Sequence, residues 1–433
     1  MAGNSNYKSN IFKSKSSSNK AKIFAGASVG HFANDGTLLV FTMLMVYYIK
    51  IPHVSVAVLG SIAVAYQLLS GYLSTRVGKY ADAKGDYNKL ISVGILIEGL
   101  GIFLFGISFI FGYLLYVYAF ALLAALVLGF GQAFYHPLGG ALLSNTFGKS
   151  SPKYMGANGA FGSLGRSILP SLIAFSILLF GNTVGLISIS AFYLLLSIII
   201  FVLLANKRNN NGSSSMNKVR LLDRSSSTDD ITVSQKAMAS HKPFSFYKKS
   251  VYKLTLVTIL RSASIMATLT FIGVYIKIIG KLTPTEVGIF LTVTFFFAVI
   301  GQYVFGVIVT KKGNRKTVVY TTLISVIAFG FFLLLRGPVY SYIFYSVFTF
   351  AALTSFPVFM SYSANIVEKE YNGYSNSVVW GIGTIVGGAL GVGLITILLY
   401  FGFSIFIGMV VAEIIGIISI ISLPILPKTL NIN

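Results

Sequence analysis

Residues 78–89 read GKYADAKGDYNK, and residues 306–317, which lie 228 positions further along the chain, read GVIVTKKGNRKT. The same spacing aligns SVAVLG at 55–60 with TPTEVG at 283–288, so glycines recur in register at both places. A shorter spacing of 220 pairs Pro137 with Pro357 and Asn145 with Asn365. The sequence therefore predicts two halves built on one plan.

Apolar segments long enough to cross a bilayer recur along most of the 433 residues. Charged residues make up 10% of the chain, whereas soluble domains carry about 25%. Because a spanning helix needs roughly 20 apolar residues, we predict an all-α membrane protein with two pseudo-symmetric six-helix bundles. The twelve predicted spans are 23–49, 57–77, 90–110, 114–145, 156–180, 184–205, 253–279, 285–309, 317–335, 339–363, 375–400 and 403–424.

A polar stretch at 206–249, rich in Asn and Ser, separates the two sets of six spans. Its composition cannot bury a core, so we predict a disordered cytoplasmic linker between bundles at 23–205 and 250–426. Residues 1–22 are predicted to be a basic cytoplasmic tail and residues 427–433 a second tail. Two parallel six-helix repeats are typical of secondary transporters that bind their substrate between the halves, near the membrane midplane.

The formal net charge of +22 is concentrated in the N-terminal tail and in the loops after spans 2, 4 and 8. The intervening loops carry only Lys50, Lys277, Lys281 and Arg336. This asymmetry follows the positive-inside rule and predicts a multi-pass protein of the cell membrane with both termini cytoplasmic. The charge therefore indicates orientation in the membrane and does not indicate a nucleic-acid partner.

The sequence has no cysteine, which excludes disulfides and thiolate metal sites. It shows no glycine-rich phosphate loop and no zinc-protease motif, so we expect no enzymatic activity, no cofactor and no metal. An ion gradient remains as the energy source, because one charge moving through 100 mV provides about 2.3 kcal/mol.

Three motifs carry a family resemblance: GHFANDG at 30–36, GKYADAKG at 78–85, and FYHPLGGALLSN at 134–145 followed by GANGAFGSLG. Together they resemble the fosmidomycin-resistance branch of the major facilitator superfamily. The resemblance implies the major facilitator fold, with helices 1, 4, 7 and 10 around a central cavity. It also implies a cytoplasmic gating role for Asp82, with Gly78 and Gly85 in the same loop motif. Arg166 departs from the pattern of that branch.

His31 and Asp35 are four residues apart, so on a helix they share one face and can touch. An ionisable group near the bilayer centre costs about 2.5–3.5 kcal/mol on insertion scales, and such groups persist where water or a partner reaches them. The resemblance places this face in the cavity. We therefore interpret Asp35 as a proton-coupling residue tuned by His31; the alternative is a structural pair that fastens helix 1.

Three further embedded residues are predicted to bind substrate: His136, Arg166 and Arg261. Arg261 corresponds to Ala33 at the 228-residue spacing, so it is expected across the cavity from Asp35 as an ion pair, a gate or an anion ligand. A guanidinium binds carboxylate or phosphonate through two donors. His136 precedes the helix-kinking Pro137, although packing against helix 2 is the alternative. Arg166 needs an anion or an acidic partner, for which Glu98 and Asp35 are the candidates.

Glu98 and Glu413 lie on helices 3 and 12, which are peripheral in this plan, so structural roles with inward-facing side chains are expected. Glycines spaced by three along helix 5 and by four along helix 11 are interpreted as packing seams.

The sequence therefore predicts a monomeric secondary transporter in the lipid bilayer that exchanges protons for a small-molecule substrate. Efflux of a drug or an organic anion by antiport, which would confer drug resistance, is the first hypothesis. The alternatives are a proton-coupled importer of organic anions and a membrane receptor or scaffold that does not transport.

Overall fold

The computed structural model describes residues 3–84, 87–205, 243–335, 337–368 and 371–429, and the described chain is helical throughout its membrane-spanning parts. In the first half, α1 runs from Gly3–Gly36 through a 3₁₀ turn at Thr37–Leu39 into Val40–Tyr48. The next helices are α2 (Val56–Lys84), α3 (Tyr87–Ser108) and α4 (Leu114–Phe147). The continuous element Ser151–Leu204 contains α5 and α6, separated at Gly181, where φ is 76°.

The second half repeats this order with α7 (Phe244–Ile278), α8 (Pro284–Lys312) and α9 (Asn314–Leu334). Helix α10 consists of two pieces, Pro338–Ala352 and Ser355–Ala364. Helix α11 includes Asn372–Ser377, a π-helical segment at Val378–Val386 and Gly387–Tyr400, and α12 is Ile405–Ser422.

The prediction of twelve transmembrane helices is confirmed. Ten helices of the described chain are long and apolar enough to cross a membrane. One of them, Lys153–Leu204, has 52 residues and holds two spans, and α10 escapes the count because its two pieces are short. Two predicted boundaries were wrong: α1 already begins at Gly3 in the predicted tail, and α7 begins at Phe244 in the predicted linker. Residues 206–242 of that linker lie outside the described residues.

We call the end of the bundle where α1 begins and α12 ends the terminal face, and the other end the opposite face. The central helices are α1 and α7, since 83% of the apolar window of each is buried, against 28% for α8. The two halves meet near the opposite face, where Thr42 Oγ1 donates to the Leu269 carbonyl at 3.0 Å. The space beside this contact is small, with a cavity volume of about 10 Å³.

The internal repeat reappears as matching contacts between the halves. Gly60 of α2 packs directly against Thr396 of α11. Its counterpart in the repeat, Gly288 of α8, lies against α5, where a Cβ would be 2.6 Å from Ala174 Cβ and 3.0 Å from the Pro170 carbonyl oxygen. Each glycine therefore allows one helix of a half to approach one helix of the other half, as the shared plan requires.

The glycine seam of α11 packs against α7, as predicted. A Cβ on Gly383 would meet Thr258, one on Gly387 would lie 2.7 Å from Ile259 Cα, and Gly391 directly contacts the Ala263 backbone. A spacing of four keeps these glycines on one face of the helix, so the two helices touch along about two turns.

We predict that Gly391→Ala destabilises the protein, because a Cβ at this position would overlap the Ala263 backbone. Overpacking of this kind costs about 1–3 kcal/mol. The matched control is Gly393→Ala, whose Cβ would have its nearest neighbour, Val64 Cγ2, at 3.9 Å. Thermal unfolding in detergent should show a lower Tm for the first variant and an unchanged or higher Tm for the second. Equal Tm values for the two variants would contradict the seam.

Candidate functional site

One buried carboxylate, Asp35 of α1, is surrounded by three basic side chains from three helices. Arg166 Nη1 of α5 lies 2.7 Å from Asp35 Oδ2, and His31 Nε2 lies 3.3 Å from the same oxygen. His136 Nε2 of α4 lies 3.3 Å from Asp35 Oδ1. We call these four residues the Asp35 cluster. The predicted contact between His31 and Asp35 is present, and Asp35 is the acidic partner of Arg166.

Glycines of α5 make room for the Asp35 cluster. A Cβ on Gly162 would lie 2.6 Å from both Asp35 Oδ2 and His31 Nε2, and Gly165 packs directly against the Phe32 carbonyl. Residues spaced by three fall short of a full turn of 3.6 residues, so their direction around the helix axis shifts from one to the next. The glycines of α5 therefore do not form a single seam: Gly159 faces α8 and packs against Gln302.

His31 is held in one orientation by groups on the neighbouring helices. Its Nδ1 lies 2.7 Å from the Asn158 side-chain oxygen, and its ring stacks on Tyr135 with centroids 4.8 Å apart. Because an amide oxygen only accepts hydrogen bonds, Nδ1 carries the hydrogen in this contact. Nε2 then faces a carboxylate oxygen of Asp35. A hydrogen bond between these two atoms requires an extra proton, on either the imidazole or the carboxyl group.

Arg166 retains unused donor capacity. Its Nη1 binds Asp35 and its Nη2 donates to Ser163 Oγ at 2.8 Å. Among the described residues, its buried Nε has no hydrogen-bond partner. Since a guanidinium has five N–H donors in a fixed fork, the group can take an additional acceptor without leaving its place.

The Asp35 cluster is partly exposed on one side. The side chain of His136 is 30% exposed, whereas that of Asp35 is 5% exposed. The His136 ring lies 6.1 Å from the ring of Trp380, which belongs to the π-helical segment of α11 in the second half. π-Helical turns frequently occur at functional sites. His136 therefore lies beside the second half of the protein, and its position at a cavity wall stays a prediction.

Three members of the cluster could supply metal ligands. The donor atoms of His31, Asp35 and His136 all lie within 4.8 Å of one another, and two histidines with one carboxylate can bind a divalent metal. The guanidinium of Arg166 is 2.7 Å from the same carboxylate. Because this positive charge repels a divalent metal ion, the cluster is better suited to an anion.

Glu98 of α3 is fully buried beside the Asp35 cluster. It accepts a hydrogen bond from Thr37 Oγ1 at 3.3 Å, and the amide nitrogen of Asn34, in the orientation that satisfies its neighbours, donates to Oε1 at 2.8 Å. Gln132 Nε2 extends this network by donating to Thr37 at 2.8 Å. The side chain turns inward as expected and ties α3 to α1 and α4.

Arg261 lies inside the second half instead of facing Asp35, so the expected Asp35–Arg261 pair is wrong for the described structure. Its Nη1 donates to Thr322 Oγ1 at 2.5 Å, and its Nη2 donates to the carbonyls of Ala351 and Ala352 at 3.3 Å each. The physical reason is helix rotation. The counterpart of Asp35 is Ala263, and a residue two positions away points about 200° around the helix.

The remaining predicted residues lie away from the cluster. Glu413 of α12 is half-buried, and in the described part of the chain its Oε2 has no hydrogen-bond partner. Asp82 lies in the last turn of α2 and not in a loop, and its side chain is not among those described. Gly78 is near Pro137 of α4, whose Cβ would be 3.5 Å from a Cβ at position 78. Gly85 is outside the described residues.

Sequence reasoning missed four polar or aromatic residues around the cluster: Asn158, Ser163, Gln302 and Trp380. Two signals were available. Asn158 interrupts the glycine-rich stretch of α5, and Trp380 is the one tryptophan of the chain. Neither signal identifies a contact partner.

We predict strong coupling between Asp35 and Arg166 in a double-mutant cycle. Asp35→Asn or Arg166→Gln alone leaves a buried charge unbalanced, which should lower the free energy of unfolding by about 4 kcal/mol. The double variant should be more stable than the sum of the single losses implies, by about 1–3 kcal/mol. Unfolding free energies in detergent measure this. The control cycle of Asp35→Asn with Arg261→Gln should be additive, and strong coupling there would restore the rejected pair.

Comparisons with known proteins agree with this architecture. A family model described as the Major Facilitator Superfamily matches residues 27–392. Among solved structures, a substituted form of the nucleoside transporter NupG is similar with a TM-score of 0.70 and 12% identity, over 95% of this chain and 100% of that chain. A D-xylose-proton symporter is similar with a TM-score of 0.71 and 13% identity, over 94% and 97%. A comparison with curated protein sequences finds no match. The chain therefore belongs to the Major Facilitator Superfamily and is a multi-pass membrane transporter.

Proposed function

We propose that this protein is a proton-coupled secondary transporter that carries a small organic anion together with a proton by alternating access. The observation that carries the proposal is the buried Asp35–Arg166 ion pair, 2.7 Å long, with two histidines 3.3 Å from the same carboxylate. Embedded ionisable groups in membrane proteins mark ion and proton pathways. Here one carboxylate, two imidazoles and one guanidinium lie together in the Asp35 cluster, which is partly exposed at His136.

The proton is held between Asp35 and His31 in this proposal. The Nδ1 contact of His31 with Asn158 leaves only Nε2 to meet Asp35. A proton that arrives through the exposed edge of His136 moves onto this pair. When the proton resides on the Asp35 carboxyl group, the ion pair with Arg166 loses its charge attraction.

The anion competes with Asp35 for Arg166. A carboxylate or phosphonate presents two or three oxygens, which match the planar fork of the guanidinium. The buried Nε of Arg166, which has no hydrogen-bond partner among the described residues, and the partly exposed ring of His136 are the proposed donors to the anion. Asp35 binds the proton more readily when the anion holds Arg166, and the anion binds more readily when the proton holds Asp35. Because each ligand favours the other, proton and anion load together, which is the coupling of a symporter.

The positive-inside distribution of the loops supports a cytoplasmic location for the terminal face. Asp82, at the cytoplasmic end of α2 near Gly78, is proposed as a gating residue, as the motif at 78–85 implies. The protein is proposed to reside in the cell membrane and to act as a monomer.

Export by antiport is the second candidate. It is favoured by the resemblance of the motifs at 30–36, 78–85 and 134–145 to the fosmidomycin-resistance branch. The polarity of the pH gradient that drives accumulation separates the two candidates: an exporter of the antiport type moves protons against the substrate, and an importer of the symport type moves them with it.

The test uses purified protein in proteoliposomes with an internal pH dye and a panel of carboxylates and phosphonates, including fosmidomycin. When one proton is coupled to each substrate molecule, a gradient of one pH unit supports an about tenfold ratio of substrate concentration across the membrane. We expect Asp35→Asn to abolish this accumulation while retaining substrate exchange in the absence of a gradient, because the substituted side chain cannot release a proton. Glu413→Gln, which removes an embedded carboxylate remote from the cluster, should accumulate substrate normally.

Two results would contradict the proposal. If Asp35→Asn accumulated substrate with an unchanged response to the pH gradient, the proton would travel elsewhere. If the wild-type chain moved no member of the panel, and removal of residues 206–242 alone abolished its cellular phenotype, a receptor or scaffold function would replace transport.

A further inference from the structure

A chain of hydrogen bonds connects the Asp35 cluster of the first half with the break in α10 of the second half. Arg166 bridges Asp35 and Ser163, with Nη1 at 2.7 Å from Asp35 Oδ2 and Nη2 at 2.8 Å from Ser163 Oγ. Gln302 of α8 donates through Nε2 to the same Ser163 oxygen at 2.8 Å. The amide of Gln302 also donates to the Leu353 carbonyl at 3.4 Å. Arg166, Ser163, Gln302 and Leu353 thus link the Asp35 carboxylate to the second half of the protein.

The break in α10 follows from the sequence. The helical partner of the Leu353 carbonyl would be the backbone N–H of residue 357, and Pro357 has none. A carbonyl without a partner is costly inside a membrane. The side-chain amide of Gln302 takes the place of the missing donor. Helix α10 accordingly stops at Ala352 and resumes at Ser355.

The neighbouring carbonyls at the break have donors of their own. Arg261 Nη2 donates to the carbonyls of Ala351 and Ala352 at 3.3 Å each, and Thr354 Oγ1 donates to the Ala351 carbonyl at 2.8 Å. These donors all belong to the second half. Gln302 differs because its amide is shared with Ser163 of the first half.

The position of Gln302 is fixed by close packing. A Cβ on Gly159 of α5 would lie 2.6 Å from Gln302 Oε1, so the amide occupies the space that this glycine leaves. With the oxygen placed there, the two hydrogens of Nε2 point to Ser163 and Leu353. Any motion of Ser163 is therefore transmitted to the amide.

Resting on the proton-coupled function proposed above, we propose that Gln302 is the positioning residue that transmits the state of the Asp35–Arg166 pair to the broken helix α10. When a proton neutralises Asp35, Arg166 turns from the carboxylate and its contact with Ser163 changes. Gln302 then shifts, the Leu353 carbonyl loses its donor, and the 355–364 piece of α10 changes its angle to the 338–352 piece. Through this relay the charge state of one half sets the conformation of the other.

The absence of cysteine from the sequence allows a direct test without an identified substrate. Two cysteines are introduced, by Ser144→Cys at the terminal-face end of α4 and by Ser361→Cys on the second piece of α10, and both are spin-labelled. Pulsed electron paramagnetic resonance then measures the distance between the two labels. For a one-proton switch, the ratio of two conformers changes about tenfold per pH unit. We expect this pH dependence in the full-length chain reconstituted in lipid.

Gln302→Leu should abolish the pH dependence of the α10 distance, because leucine can donate to neither Ser163 nor Leu353. The matched control is Gln67→Leu. Gln67 also joins the halves, through Nε2 to Thr270 Oγ1 at 3.4 Å, but it has no link to Ser163 in the described structure. This variant should keep the pH profile of the parent. A merely structural role for Gln302 would lower stability in both variants alike and leave both pH profiles unchanged.

A second variant covers the case in which Gln302→Leu does not fold. Gly159→Ala retains the amide but fills its space, so it should also remove the pH dependence. The relay is overturned if Gln302→Leu or Gly159→Ala keeps the parent profile, while the proton-coupled function then still stands. A parent chain whose distance does not respond to pH, together with proteoliposomes that show no proton coupling, would overturn both proposals.

Discussion

The negative charge of Asp35 has to be balanced within the membrane-spanning part of the protein, and the guanidinium of Arg166 balances it. Taking either charge out of water alone is strongly unfavourable, whereas a close pair with satisfied hydrogen bonds is tolerated. The surrounding structure serves this contact: Gly162 leaves space for it, Asn158 orients His31, and α5 approaches α1 at Gly165. The same contact loses its charge attraction when one proton is added to Asp35.

Much of the fold was predictable because it depends on local composition. The span predicted at 114–145 is the helix Leu114–Phe147, and the span predicted at 375–400 ends where α11 ends, at Tyr400. The repeat aligned Gly60 with Gly288 in the sequence, and in the structure each of them contacts the other half. Boundaries failed where helices extend into polar sequence, as α7 does from Phe244, because hydropathy reports the apolar core of a span and not the end of its hydrogen bonding.

The candidate site was predictable only where the contact is local. The pair of His31 and Asp35 follows from helical spacing, but the choice of Arg166 over Arg261 as the partner does not. Both arginines lie at plausible depth, and the difference is their direction around the helix axis. Ala263 is the true counterpart of Asp35, and it packs on Gly391 of α11 as Asp35 packs at Gly162 of α5. At this position the second half has the same close helix packing, but an alanine stands where the first half has a carboxylate.

In the proposed cycle a proton neutralises Asp35, whereas the guanidinium of Arg166 keeps its positive charge. A protein with a neutral Asp35 and no bound anion would then contain a buried cation without a counterion, which is an unfavourable state. Such a carrier rearranges reluctantly until an anion arrives. The permanent charge of a single side chain thus suppresses futile cycles, in which protons would leak down their gradient without cargo.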